Sequence, residues 1–231
     1  MRHTLADQTV FITGGSRGIG YATARAFLAR GARVAICGRD AARLAAAQRQ
    51  LAQEGEVLAV AADVRDASGL AHGIDAVGAQ LGAIDVLVNN AGVLWTGQFA
   101  EEDFASMAAV IDTNLKGVLH ATRAVLPRML ARERGVIINV ASGAGLSGFA
   151  GLATYCASKF AVVGFTESLD LEVRDRGIRV YAICPGSVHT DMLRQYSADA
   201  RGMSPEVVAG RIVTVAQPHA REPTGTCITV P

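Results

Sequence analysis

The chain has 231 residues, half of them hydrophobic and 19% charged, which fits one ordinary globular domain with a sizeable core. Its formal net charge of +1 gives no long-range pull toward nucleic acid or an anionic membrane surface. No apolar run approaches the ~18 residues of a membrane span, and Met1-Arg2-His3-Thr4-Leu5-Ala6-Asp7 holds no apolar signal region, so a cytoplasmic location is expected.

Short β-branched runs alternate with Ala-rich helical stretches along the whole chain. The first predicted strand, 10–13, runs into Thr13-Gly14-Gly15-Ser16-Arg17-Gly18-Ile19-Gly20 and a helix over 18–29. Glycines let the backbone turn sharply beside a pyrophosphate, and the helix N-terminus offers the anion free N–H groups and a positive dipole end. Strand-before and helix-after is the context such a turn needs. The second strand, 33–37, ends at Gly38-Arg39-Asp40. A binder of the unphosphorylated dinucleotide usually carries an acid here for the ribose hydroxyls. By spacing from Gly20 that place is Gly38, which has no carboxylate to repel a 2′-phosphate, while Arg39 can grip one and Arg17 can reach it from the turn. Asp40 comes one or two residues late and serves equally as the cap of the next helix, 41–53. NADP(H) is therefore expected over NAD(H).

A third strand, 57–61, leads to Asp63-Val64 and a helix over 68–80; a fourth, 86–88, leads to Asn89-Asn90-Ala91-Gly92. One long helix is predicted over 104–132, with Asn114 inside it. Strand 136–140 is followed by Ser142, and a helix over 154–174 carries Tyr155 and Lys159. Strand 179–183 leads into Pro185-Gly186-Ser187-Val188-His189-Thr190 and a polar, irregular segment, 189–203. Ser204-Pro205-Glu206 then starts a helix to 216, and a last strand spans 227–230. Most of these strands are continuously apolar, as parallel strands buried on both faces are. The repeated βαβ pattern implies a single-domain, Rossmann-like α/β fold: a doubly wound sheet of about seven parallel strands with helices on both faces.

Tyr155 and Lys159 are four apart, hence neighbours on one helical face. A phenol with an ordinary pKa of about 10 is no acid or base at neutral pH. An ammonium beside it in a dry cleft favours the phenolate. Cys37, Cys156, Cys184 and Cys227 are scattered, without the close spacing that metal sites use, and read as small buried thiols in a reducing cytosol. No metal is expected.

Taken in order, these strings resemble the short-chain dehydrogenase/reductase family, in its main single-domain, NADP-preferring form. Thr13–Gly20 resembles the family's Thr-Gly-x-x-x-Gly-x-Gly turn, implying cofactor contacts at Gly14, Ser16, Arg17, Ile19 and Gly20, with Arg39 at the 2′-phosphate. Asp63 and Val64 resemble the pair that meets the adenine, and Asn90, Ala91 and Gly92 the family's Asn-Asn-Ala-Gly string. Pro185, Gly186, Val188 and Thr190 resemble the stretch lining the nicotinamide. The resemblance implies hydride transfer between NADP(H) and a small-molecule ketone or secondary alcohol. Tyr155 would be the acid/base, Ser142 a donor to the reacting oxygen, and Lys159 the tuner of Tyr155 and a partner of the nicotinamide ribose. Asn114 would hold a water linking Lys159 to solvent. A homodimer or homotetramer through the helices at 104–132 and 154–174 is also implied, with Ala157, Ala161, Gly164 and Phe165 suited to close packing. Two other classes share the scaffold: a catalytically silent NADP(H)-binding regulator, and a cofactor-free lyase, which would be expected to lose the Gly-rich turn. The family's frequent C-terminal Gly-Gly tail is missing. Leu94, Trp95, Leu146, Phe149, His189 and Met192 are the candidates to line a substrate pocket, and their apolar character favours hydrophobic substituents over a sugar.

Overall fold

The structure is a computed structural model that describes residues 5–196, 199 and 201–231. Met1–Thr4, on which part of the signal-region reading falls, and Ser197, Ala198 and Ala200, within the segment expected to be irregular, lie outside the described residues. Among the described residues the strands are β1 (Thr9–Thr13), β2 (Arg33–Gly38), β3 (Val57–Ala61), β4 (Ile84–Asn89), β5 (Gly135–Val140), β6 (Ile178–Pro185) and β7 (Cys227–Val230). They form one sheet in the order β3-β2-β1-β4-β5-β6-β7, every pair parallel.

The strands are apolar along their length because both faces are covered. Every residue of β1, β4 and β5 is buried. Along β1, Val10 and Ile12 point into a core beneath helices α1 (Gly18–Leu28), α2 (Ala41–Leu51) and α8 (Pro205–Ala216). Phe11 points the other way, into a core with α3 (Ala67–Leu81), α5 (Gly117–Ala131) and α6 (Ala153–Val173). The strand order reverses between β1 and β4. At that switch point the chain ends of the strands open into a crevice.

Three sequence expectations are corrected. The single helix over 104–132 is broken: α4 (Phe104–Ile111) and α5 are joined by one π-helical turn, Asp112–Lys116. Asn114, in that turn, uses its amide outside the helix, accepting from Val93 N at 2.8 Å and donating to Val93 O at 3.0 Å. At the start of α5, Gly117 lies so close to Val64 that a Cβ would come within 2.7 Å of a valine methyl. The irregular segment contains a short helix, α7 (Asp191–Tyr196).

The third correction concerns the cysteines. Cys184 and Cys227 are joined by a disulfide, with Cα atoms 6.3 Å apart. In the β6–β7 register Cys227 pairs with Ala182 and Cys184 with Thr229, so the two cysteines sit on neighbouring strands two positions out of step and share a face. The inference from four free thiols to a reducing compartment is thereby removed. Cys37 and Cys156 are free and buried, and burial pushes the Cys37 thiol up to about 12. Among the described residues no helix is long and apolar enough to cross a membrane, and no cluster of metal-ligating side chains occurs.

Candidate active site

The turn after β1 is built by close approach. Gly14 adopts a φ of +67°, and a Cβ there would lie 2.9 Å from Ala91 Cα. Gly20 packs so tightly that a Cβ would fall 2.3 Å from Gly14 O. Asn90 braces the turn from the end of β4, its Nδ2 donating to Thr13 O at 3.0 Å and to Gly14 O at 3.1 Å. In return Thr13 Oγ1 accepts from Asn90 N and Ala91 N. Helix α1 then starts with no side-chain cap and no acidic residue in its first turn. Its leading N–H groups are left for an outside anion, so the turn fits a dinucleotide's pyrophosphate.

A cleft of about 1090 Å³ opens above the switch point. Gly14, Ser16, Arg17 and Ile19 line it on the side of the turn, and Arg39, Asp63 and Val64 at one end. Asn90, Ala91 and Gly92 also line it, as do Ser142, Tyr155 and Lys159 and the stretch with Pro185, Gly186, Val188 and Thr190. Two expected site residues are not on its wall. Gly20 lies beneath the turn as a packing position, and Asn114 is buried behind Gly92.

A Cβ on Gly38 would make only ordinary contacts, with Leu44 at 3.5 Å and Ser16 Oγ at 3.8 Å. Asp40 caps α2, accepting from Arg43 N at 3.0 Å. Asp63 is engaged by Arg65, whose hydrogen bonds hold its carboxyl below the usual range. Arg17 pairs with Asp191 of α7 at 3.0 Å, and Arg194 bonds the same carboxylate.

Lys159 Nζ lies 5.7 Å from the centre of the Tyr155 ring and donates to Val140 O at 2.9 Å. Ser142 Oγ accepts from Ala144 N at 3.1 Å, which leaves its own proton for the cleft. Ser158 ties the parts together, donating to Tyr155 O at 2.7 Å and accepting from Asn114 Nδ2 at 3.1 Å. A Cβ on Gly92 would meet Asn114 Oδ1 at 3.4 Å and Lys159 Nζ at 3.9 Å, so both polar groups converge under that glycine.

The charges differ from the expectation in one respect. Burial pushes the Tyr155 hydroxyl above its ordinary value, and the Ser142 hydroxyl only partly offsets this. Burial also brings Lys159 down to about 8. Both groups thus lose water together, which favours the neutral phenol and the neutral amine.

Of the pocket candidates, Leu94, Phe149, His189 and Met192 line the cleft, whereas Trp95 and Leu146 do not. Sequence reasoning missed Thr13, Ser158 and Asp191. For Ser158 a signal existed, since it lies three residues after Tyr155 on the same helix. Thr13 opens the Gly-rich string, but its partners, like those of Asp191, come from other elements.

Comparison with known proteins gives concordant matches. A family model described as short chain dehydrogenase matches residues 8–201. The chain is 39% identical over 218 residues to a 3-oxoacyl-(acyl-carrier-protein) reductase of Synechocystis, covering 90% of this chain and 88% of the relative. It is 38% identical over 195 residues to an NADPH-dependent pterin aldehyde reductase of Arabidopsis thaliana, covering 82% and 78%. The crystal structure of levodione reductase superposes with a TM-score of 0.92 at 28% identity, over 97% of this chain and 96% of that one.

Proposed function

Since this chain belongs to the short-chain dehydrogenase/reductase family, a family of oxidoreductases that use nicotinamide cofactors, we propose that it interconverts a ketone and a secondary alcohol with NADP(H). One observation carries the reading: Ser142, Tyr155 and Lys159 line the same cleft whose other wall is the uncapped start of α1.

The cofactor would lie along this cleft, its pyrophosphate over Gly14–Ile19, its adenine beside Asp63 and Val64, and its nicotinamide against Pro185–Thr190. When bound it supplies or accepts the hydride. The protein's part is to hold the oxygen and move the proton. In the reducing direction Tyr155 gives its hydroxyl proton to the developing oxyanion, and Ser142 donates a hydrogen bond to the same oxygen. Lys159 spends one of its three donors on Val140 O, leaving the others for ribose hydroxyls and for water. With its pKa brought to about 8, it can exchange a proton near neutral pH. Asn114, through Val93 and Ser158, holds the backbone and the helix around that lysine rather than presenting its own amide to the cleft.

NADP(H) is favoured because Gly38 carries no acid and Arg39 lines the cleft; Asp40 lines it too, but one of its carboxylate oxygens caps α2. Leu94, Phe149 and Met192 favour an apolar substituent on the carbonyl carbon. A two-fold dimer through α4, α5 and α6 agrees with the outward placement of Phe104 (88% exposed), Phe160 and Leu171. Residence in the cytoplasm remains part of the proposal, with the disulfide as the observation against it.

The test is NADPH absorbance against ketones, β-ketoesters, quinones and aldehydes, with NADH in parallel. Tyr155→Phe should keep the fold and NADPH binding while turnover falls at least about a hundredfold, the scale of a lost general acid. Near-normal activity in that variant overturns the assignment, and NADPH binding without turnover on any carbonyl favours a silent regulator. Arg39→Ala should weaken NADPH far more than NADH; equal losses count against the 2′-phosphate contact.

A further inference from the structure

We infer that Glu102 is a positioning residue for Tyr155, acting through Thr154. Glu102 lies just before Asp103, the cap of α4, and is only 7% exposed. Its Oε2 accepts a hydrogen bond from Thr154 Oγ1 at 2.5 Å, and its Oε1 is buried with no partner. A carboxylate taken from water for a single hydrogen bond is costly, and an apolar side chain would serve stability better. The compensation lies at the start of α6. That helix begins at Ala153, its N-cap Leu152 offers no side-chain bond, and its first turn contains no acid. Glu102 brings to this positive helix end the negative charge that the helix's own sequence lacks.

Tyr155 is the residue after Thr154. Tyr155 packs against the buried cluster of Ala144, Leu152 and Cys156, and its carbonyl accepts from Ser158. The first turn of a helix frays most readily, and Tyr155 stands in it. The bond to Glu102 pins that turn from the α4 side, while Ser158 and Asn114 pin it from behind. The phenol is thereby held at a fixed height relative to Ser142, where small errors in the place of an acid are expensive.

The inference rests on Tyr155 being the acid, so Tyr155→Phe accompanies the test as a control. Glu102→Leu, Thr154→Val and Thr154→Ser are compared by steady-state kinetics across pH, NADPH binding by fluorescence, and thermal melting. Glu102→Leu and Thr154→Val should each lower kcat about tenfold, the scale of a slightly misplaced catalytic group, with NADPH affinity within about twofold. Both should shift the limb of the pH profile that Tyr155 carries. Thr154→Ser should restore kcat, and the double variant should be no worse than either single one, as coupled residues behave. Thr154→Val removes only a hydroxyl and carries the test should Glu102→Leu not fold. A lowered Tm with unchanged kcat and pH profile makes Glu102 merely structural and overturns the inference. An active Tyr155→Phe instead removes the proposed function beneath it.

Discussion

Lys159, the proposed partner of Tyr155, shows how a buried side chain acts on stability. It is 5% exposed, has no carboxylate partner among the described residues, and its pKa falls from 10.5 to about 8. The unfolded chain therefore binds more protons than the native one between about pH 8 and 10.5, and the contribution of Lys159 to stability rises with pH across that window. Below it the buried ammonium costs about 3 kcal/mol, converting the shift directly. Lys159→Met should accordingly raise the melting temperature at pH 6–7 while abolishing turnover, with the gain shrinking by pH 10; thermal melts of both proteins across pH check this. Tyr155 acts at the other end of the scale. Its raised pKa keeps the phenol protonated in the fold where the unfolded chain ionises, so stability falls again above about pH 10. The tyrosine and the lysine themselves stand out in the sequence because their spacing is that of one helical face. Their charge state does not, since it depends on how thoroughly Val140, Ala144 and Leu152 shut out water, and those residues come from two other segments and the helix's own cap.

Individual elements were readable to the degree that their determinants are local. Strand β7 and the starts of α1 and α2 fall where the sequence places them, because β-branched runs, glycines and capping residues act within a few positions. Asp40 is a case where local chemistry left two answers open. The structure gives it to α2 as a cap, with Arg43 also drawn to the carboxylate at 3.7 Å. Asp40→Ala should therefore cost about 1 kcal/mol in chemical denaturation, as N-cap losses do. The break between α4 and α5 had no local sign. It follows from Asn114 bonding Val93, 21 residues away, and from Gly117 touching Val64, contacts only the folded sheet provides. Likewise the polar chain from Thr122 through Asn89 and Asn139 to Thr166 joins α5, β4, β5 and α6 inside an otherwise apolar core, and only the strand register brings its members together.

Across the whole molecule, the sheet order follows from alternating strands and helices with short connections, and the crevice at the β1–β4 reversal follows from the order. The disulfide does not, because its two cysteines are 43 residues apart in sequence and become neighbours only through the β6–β7 register. It ties the last strand to the one whose end carries the Pro185–Thr190 loop. In the chain-entropy account, closing a loop of that length stabilises by at most about 4 kcal/mol. Reducing agent, or Cys227→Ser, should lower the melting temperature by up to about 10 °C for a domain of this size. Thiol counting under denaturing conditions without reductant should find two reactive cysteines rather than four, the free ones being Cys37 and Cys156.

The widened turn at Asp112–Lys116 makes the site sensitive to chain length as well as to residue identity. Excising Asp112, Thr113, Leu115 or Lys116 would let an unbroken α-helix form and would rotate everything on one flank by about 100° relative to the other. Asn114 could then no longer face Val93 while Gly117 faced Val64. A gene lacking a single codon there would encode a smoother helix, every proposed proton-handling side chain intact, and an amide swung away from the lysine it now stands beside.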